Sequence, residues 1–458
     1  MENVKLKDLK DKKFHFIGIG GISMSALAQL LKRNKIYVQG SDLCENAETK
    51  KLEKKGIKVF QGHDKNNLKN VDVVVYSSAI HDDNQELKFA LKKKLVILKR
   101  AELLGMIADD YKCVIAIAGS HGKTTATAML SEILIRAGLK PTVHIGGVLN
   151  SIHSNLKVGN KRYFVTEACE YKDNYLFIKP DVSVVLNVDA DHLDYFKDLD
   201  GVKASYKRFV SGTKSGGINV VFQDDENSGE LLKVNNVATF GLLKSADVYA
   251  VNIKEYKPCY YSFDVVFSRF KLGNIKLNIL GKHTVLNALA CVLVSLALGI
   301  DFCDTKEAIE KFSGVERRCQ KVAEINGVQI YHDYAHHPEQ IKKMIKVGRD
   351  LTRKSKGNVI VVFEPHTYSR TKFLIDEFAE SFSQADKVVF APVYSAREKP
   401  SEGYDSLKLA NETKGFVDNV EYIENFEAIK SRVLQVCKAN DVVLILGAGT
   451  IEKLAKMF

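Results

Sequence analysis

The segment Cys113-Val-Ile-Ala-Ile-Ala-Gly119-Ser120-His121-Gly122-Lys123-Thr124-Thr125 joins an apolar run, a small-residue turn and a helix-forming stretch. A turn with little side-chain bulk lets several backbone N–H groups converge on phosphate oxygens. The helix start adds its partial positive charge. Lys123 is then placed to reach the β and γ phosphates of a nucleotide, and the Thr124 hydroxyl to ligate Mg²⁺. Ile117 stands where the strict phosphate-loop pattern has its first glycine, so the loop tightens around Gly119. ATP is the ligand this pattern implies.

Cation ligands should come from other strand ends on the same side of the sheet. Glu167 follows Tyr163-Phe-Val-Thr and opens Glu167-Ala-Cys-Glu170, while His192 ends Val184-Val-Leu-Asn187-Val-Asp189-Ala-Asp191-His192. A carboxylate suits Mg²⁺; an imidazole suits it less. Glu170 reads equally well as a salt-bridged surface acid. A second glycine turn, Phe14-His-Phe-Ile-Gly18-Ile-Gly20-Gly21-Ile22-Ser23-Met24, resembles the dinucleotide fingerprint with Ser23 in the third glycine position. Asp42, near the end of the next strand, is placed to hold a ribose. Taken alone, the turn fits a dinucleotide, another nucleotide-linked ligand or a purely structural role. Two phosphate-binding turns in one chain imply two phosphorylated molecules, one of them ATP. The last third adds His332-Asp333-Tyr334-Ala-His336-His337-Pro338 and Glu364-Pro-His366-Thr-Tyr368-Ser-Arg370. Adjacent histidines point in different directions and no third ligand follows, which argues against zinc. An Arg and a Tyr at a strand end suit the carboxylate of a second substrate.

Such loops need strands to hold them. Apolar runs at 14–19, 36–39, 71–76, 96–98, 114–118, 163–166, 182–187, 218–222, 359–363, 387–391 and 442–446 alternate with helical stretches. Several are continuous rather than alternating, as strands covered on both faces are. The expected class is α/β with largely parallel sheets, and residues 245–280 alternate enough to be antiparallel. Boundaries fall at 1–109, 110–313 and 314–458. The chain has 458 residues, 45% hydrophobic and 27% charged, with a net charge of +11. That excess is dispersed and punctuated by acids, so nucleic acid is not the expected partner. The eight cysteines form no CxxC pair and read as reduced thiols. The N-terminus lacks a signal-peptide pattern, and the weakly polar stretch between Lys282 and Asp301 reads as a buried helix rather than a membrane span. A cytoplasmic location is expected.

The ordered blocks Gly18-Ile-Gly-Gly-Ile-Ser-Met, Gly119-Ser-His-Gly-Lys-Thr-Thr, Glu167-Ala-Cys-Glu, Asn187-Val-Asp-Ala-Asp-His192, Gly281-Lys-His-Thr-Val-Leu-Asn287, Gly314-Val-Glu-Arg-Arg318, Asp333-Tyr-Ala-His-His-Pro and Glu364-Pro-His-Thr-Tyr-Ser-Arg370 together resemble the ATP-dependent Mur ligase family of peptidoglycan synthesis. The resemblance spans essentially the whole chain. It implies three domains: an N-terminal Rossmann-like one, a central P-loop ATPase-type one with a mixed sheet, and a C-terminal Rossmann-like one. It further implies a UDP-sugar site at Gly18, Gly20, Gly21, Ile22, Ser23, Asp42 and Ser77. ATP would contact residues 119–125, His283, Asn287 and Arg318. Thr124, Glu167 and His192 would be the metal-associated positions, with Lys123, Glu167 and His192 catalytic. The amino-acid contacts would be Tyr334, His337 and Arg370. The branch resembled most joins L-alanine to the lactyl carboxylate of UDP-N-acetylmuramate through an acyl phosphate. The alternative is a recycling ligase that joins a tripeptide to the same sugar nucleotide. A monomer or homodimer without membrane insertion is implied. Departures from the family pattern stand at Ser23, at Cys169 (often acidic) and at Thr367 (often Arg). Lys123→Ala is expected to lower turnover by several orders of magnitude while barely changing the fold.

Overall fold

The computed structural model describes residues 5–396, 398 and 405–458, and three sheets carry these residues. The first contains β1 (Lys13–Ile17), β2 (Tyr37–Asp42), β3 (Lys58–Gln61), β4 (Val73–Tyr76) and β5 (Val96–Lys99) in the order β3-β2-β1-β4-β5. Every pairing in it is parallel. Helices α1 (Ile22–Arg33), α2 (Ala47–Lys54) and α3 (Gln85–Lys92) connect β1 to β2, β2 to β3 and β4 to β5, a 3-10 turn at Lys65–Leu68 lies between β3 and β4, and α4 (Arg100–Ala108) follows β5. Strand order reverses between β1 and β4, so a crevice opens at their carboxyl ends, beside the glycine turn.

The second sheet is built from β6 (Cys113–Ala118), β7 (Thr142–Leu149), β8 (Ser154–Lys157), β9 (Tyr163–Glu167), β10 (Val182–Val185), β11 (Ile218–Phe222), β12 (Val237–Gly241), β13 (Val248–Lys257), β14 (Tyr260–Phe267) and β15 (Phe270–Lys276). Its order is β15-β14-β13-β12-β11-β10-β6-β9-β7-β8. The β6, β9, β10 and β11 ladder is parallel, and β14–β15 and β7–β8 are antiparallel, so the sheet is mixed as the alternation at 245–280 implies. Around it lie α5 (Lys123–Arg136), α6 (Leu193–Phe196), α7 (Leu199–Ser211), α8 (Thr284–Ala297) and α9 (Phe302–Lys311). The weakly polar stretch after Lys282 becomes α8, buried along most of its length and packed on α5 and β12. No helix among the described residues is long and apolar enough to cross a membrane.

In the third sheet, β16 (Gln320–Ile325), β17 (Val328–Asp333), β18 (Val359–Phe363), β19 (Lys387–Phe390), β20 (Val420–Tyr422) and β21 (Val442–Leu446) run in the order β16-β17-β21-β18-β19-β20. Only β16 is antiparallel to its neighbour. Strands β18 and β21 are buried at every residue, which is why their sequences are unbroken apolar runs. Helices α10 (Pro338–Thr352), α11 (Tyr368–Phe373), α12 (Ile375–Ser381), α13 (Ser406–Thr413), α14 (Phe426–Val436) and α15 (Glu452–Ala455) cover it. The chain divides into two compact units. Residues 1–253, 262–278 and 283–313 form the first, with the first sheet and most of the second; residues 254–261, 279–282 and 314–458 form the second, with the third sheet and the adjoining ends of β13 and β14.

The first sheet encloses a fully buried carboxylate. Glu86 on α3 accepts from Ser41 Oγ (2.6 Å) and Asn67 Nδ2 (2.8 Å), with His15 Nε2 at 3.3 Å and His63 Nδ1 at 3.2 Å. Burial alone would raise its pKa, but bonds from His15, His63 and Ser41 hold it down at about 2. A depressed carboxylate pKa adds stability that is complete above the ordinary value of 4.5 and lost as pH falls through the folded value. Wild-type protein should therefore lose roughly 3 kcal/mol between pH 5 and pH 2 from this group alone. Glu86→Gln should flatten that part of the profile in denaturant melts, and an unchanged profile would refute the assignment.

Candidate active site

Strand β6 delivers the loop at 119–122 to the start of α5. Gly122 caps α5 with φ +83°, a conformation that favours glycine. A Cβ there would also come within 2.8 Å of Asn287 Oδ1, on the first turn of α8. The loop is laced to the segment after β10. His121 N–H donates to Asn187 Oδ1 (2.8 Å), Asp189 N–H donates to Ser120 Oγ (2.9 Å), and His121 Nε2 lies 3.2 Å from Asp189 Oδ2. Lys123 Nζ curls back over the loop and donates to Gly119 O (2.6 Å), Ser120 O (3.3 Å) and Glu170 Oε1 (2.8 Å). Burial pulls the Lys123 pKa down, but the Glu170 charge outweighs it and the net shift is upward. The lysine is therefore a fixed cation aimed at the loop. Thr124 is buried in the first turn of α5, Thr125 lies beside it, and His283 caps α8 on the surface. Asn287 Nδ2 is buried without a partner in the same corner, a donor that a bound nucleotide would satisfy.

Glu170, Asp191 and His192 each offer one ligand atom within 4.8 Å of the others. His192 Nε2 lies 3.7 Å from Glu170 Oε1, the oxygen that also takes Lys123. Glu170 Oε2 is buried and unpartnered, so two carboxylates and an open lone pair fit a hard divalent cation, with the imidazole its weakest member. Glu167, at the end of β9, instead accepts from Gly146 N–H at 2.6 Å. The segments that carry this cluster are held in unusual conformations. Lys172, Asp173, His192 and Lys197 all have φ between +54° and +71°. Asp173 anchors them by accepting from Arg208 Nη2 (2.9 Å), Tyr195 OH (3.0 Å) and Ser205 Oγ. Tyr171 stacks on His192 at 4.7 Å.

The N-terminal turn is equally tight. Gly20 N–H donates to Asp42 Oδ2 (2.9 Å), and a Cβ at Gly20 would lie 2.6 Å from Asn46 Nδ2. Asp42 thus shapes the turn. Ser77 flanks Gly18 at the end of β4. Gly21 and Ile22 are exposed at the start of α1. Ser23 Oγ lies 3.0 Å from His144 Nε2 of β7.

The second unit carries its own cluster at the carboxyl ends of β17 and β18. Tyr334 packs between two guanidinium groups, Arg317 at 4.7 Å and Arg318 at 5.4 Å. Its neighbour His336 lies against His366 (5.8 Å), whose Nδ1 is 3.5 Å from Arg370 Nη1. Burial lowers the pKa of His336 to about 4 and also lowers that of His366, so both stay neutral at pH 7 beside Arg370. His337 is the exposed N-cap of α10.

Comparison with known proteins gives three family matches in chain order. Residues 13–112 match the Mur ligase family catalytic domain, 117–295 the Mur ligase middle domain and 317–449 the Mur ligase glutamate ligase domain. The UDP-N-acetylmuramate–L-alanine ligase of Caldicellulosiruptor bescii is 44% identical over 96% of this chain and 97% of its own. The chain belongs to the Mur ligase family. It is an ATP-dependent ligase with the three-domain architecture of Mur ligases. Clostridium botulinum strain Okra has a UDP-N-acetylmuramate–L-alanine ligase 41% identical over 99% of this chain and 98% of its own. Among solved structures, the UDP-N-acetylmuramate–alanine ligase of Thermotoga maritima superposes with a TM-score of 0.82 at 28% identity, covering 98% of both chains.

Against this Mur ligase frame, the structure gathers Lys123, His192 and the 119–125 loop into one cluster. Glu170 and Asp191 stand beside His192 in that cluster, while Glu167, expected as a metal-associated position, accepts from Gly146 N–H. Glu170 stands three residues beyond the end of β9, past a turn that spacing alone does not resolve. The structure also revises the expectation that Lys123→Ala would leave the fold alone, because Glu170 would lose its cation. In the second unit Tyr334 and Arg370 share a cluster with His336 and His366, which the sequence places in the same polar blocks without a role. Their pairing across β17 and β18 is visible only once the strands are registered through β21.

Proposed function

We propose that the chain joins L-alanine to the lactyl carboxylate of UDP-N-acetylmuramate, with ATP converted to ADP and phosphate, in the cytoplasm where these substrates are made. One observation carries this reading. Lys123 and the Glu170–Asp191–His192 cluster share a carboxylate oxygen at the mouth of the 119–125 loop, in a chain so similar along its length to alanine-adding Mur ligases.

The chemistry follows from the substrates. A carboxylate is a poor electrophile because its leaving group would be oxide. Its oxygen displaces ADP from the γ phosphorus, giving an acyl phosphate; the neutral amine of L-alanine then attacks the carbonyl, phosphate leaves and the amine proton passes to solvent or phosphate. Lys123 holds positive charge against the transferring phosphoryl group, and the loop N–H groups orient it. Mg²⁺, held by Glu170, Asp191 and His192 with Thr124 in reach of the same loop, would supply charge neutralisation at the phosphates. Gly18 to Ser23, Asp42 and Ser77 seat the UDP-sugar, with Asn287 and His283 on the nucleotide side of ATP. Arg370 and Tyr334 hold the amino-acid carboxylate, and His336 and His366, being neutral, add no charge that would repel the incoming amine.

The test is ADP release with ATP, Mg²⁺, UDP-N-acetylmuramate and a panel of L-alanine, glycine, L-serine and L-alanyl-γ-D-glutamyl-diaminopimelate. Release dependent on L-alanine is expected. Faster release with the tripeptide would assign the chain to peptide recycling instead.

A further inference from the structure

The first residue of α4, Arg100, occupies an electrostatic position that neither turn accounts for. It follows β5 directly, at the carboxyl edge of the first sheet, and is only partly exposed. Among the described residues its guanidinium makes one hydrogen bond, from Nη1 to Ser23 Oγ at 3.2 Å. Among the described residues no carboxylate lies within 4.0 Å of it. Burial lowers its pKa, and the electrostatic influence of Cys169 and Glu167 only partly offsets this. A partly buried cation with most of its five donors unused is a costly arrangement in the absence of a ligand.

Its single contact is set by a directed chain. Thr166 donates its hydroxyl to Glu167 O (3.1 Å), so its oxygen accepts from His144 Nδ1 at 2.9 Å. His144 is buried between β7 and its neighbours, and burial with Arg100 nearby drives its pKa to about 3, so the ring is neutral. Its Nε2 must then accept from the Ser23 hydroxyl at 3.0 Å, leaving the Ser23 oxygen to accept from Arg100. The residue that replaces the third glycine of the N-terminal turn therefore fixes one arm of the guanidinium and frees the rest. Glu167, which holds Gly146 at the β9 end, is close enough for its charge to act on the guanidinium.

We infer that Arg100 is an anion-binding residue of the sugar-nucleotide site, gripping either the diphosphate or the lactyl carboxylate of the substrate, with Ser23 and His144 as its positioning residues. This rests on the sugar-nucleotide reading above. Full-length wild type and Arg100→Met are titrated calorimetrically with UDP, UDP-N-acetylglucosamine and UDP-N-acetylmuramate, with MgADP as control. Arg100→Met should weaken UDP-N-acetylmuramate about 10- to 100-fold, the range for a hydrogen bond to a charged group. It should leave MgADP binding unchanged and the ligand-free melting temperature at or above wild type, since an uncompensated charge has been removed. Equal weakening of UDP and UDP-N-acetylglucosamine identifies the diphosphate as the anion; weakening confined to the muramate identifies the carboxylate. Ser23→Ala should reproduce a smaller share of the same loss. Wild-type affinity of Arg100→Met for all three nucleotides, or a lowered melting temperature, would overturn the inference. Failure of wild type to bind any of them would overturn the substrate reading first, and this inference with it.

Discussion

Lys123→Ala is expected to lower the ligation rate at least about 1,000-fold, roughly 4 kcal/mol of barrier, because it removes the one ammonium held over the phosphate loop. The loss should fall on kcat more than on the KM for ATP, since charge builds on the phosphoryl group during transfer. The same change strands Glu170, whose side chain is 1% exposed. Breaking a buried pair costs about 3 kcal/mol or more. Lys123→Met combined with Glu170→Gln should recover most of the melting temperature lost by Lys123→Met alone, yet recover none of the rate. A single variant that keeps near-normal ADP release would remove Lys123 from the mechanism.

Glu170→Gln carries the second large effect. Glutamine keeps the shape, but it can no longer neutralise Lys123 and a cation together, and Oε2 is the buried atom with no other partner. Turnover should fall about 100- to 1,000-fold. The Mg²⁺ concentration for half-maximal rate should rise about 10-fold or more, the mark of a lost ligand rather than a lost fold. An unchanged Mg²⁺ dependence at reduced rate would restrict Glu170 to positioning Lys123.

The strands that hold these groups were legible because they are buried on both faces. Val359–Phe363 and Val442–Leu446 have no polar residue, and burial explains why. Short edge strands such as β3, β8 and β20 carried no such signal, being three or four residues long and partly exposed. In the site, residues contiguous with a glycine turn were found from spacing, as Gly119 to Thr125 were. Partners brought in from another strand or helix were named only where a motif carried them, as with His192 and Asn287. Arg100 and His144 meet the N-terminal turn only after β5 and β7 have been brought to it, which no local pattern encodes. The serine at position 23 looked like a defect in a glycine fingerprint; it has a use only in relation to a histidine 121 residues away.

The left-handed backbone around Asp173 and His192 has a consequence for anyone seeking a more heat-tolerant enzyme. Each such residue stores about 1 kcal/mol or more of strain, and glycine would release it. At Lys172 and Lys197 that relief is open to the protein engineer. At Asp173 it would cut the tether to Arg208 and Tyr195, and at His192 it would delete the imidazole itself. Thermal robustness and throughput therefore draw on the same few torsion angles, and a screen for one should select against the other at Asp173 and His192 while leaving the two lysines free to change.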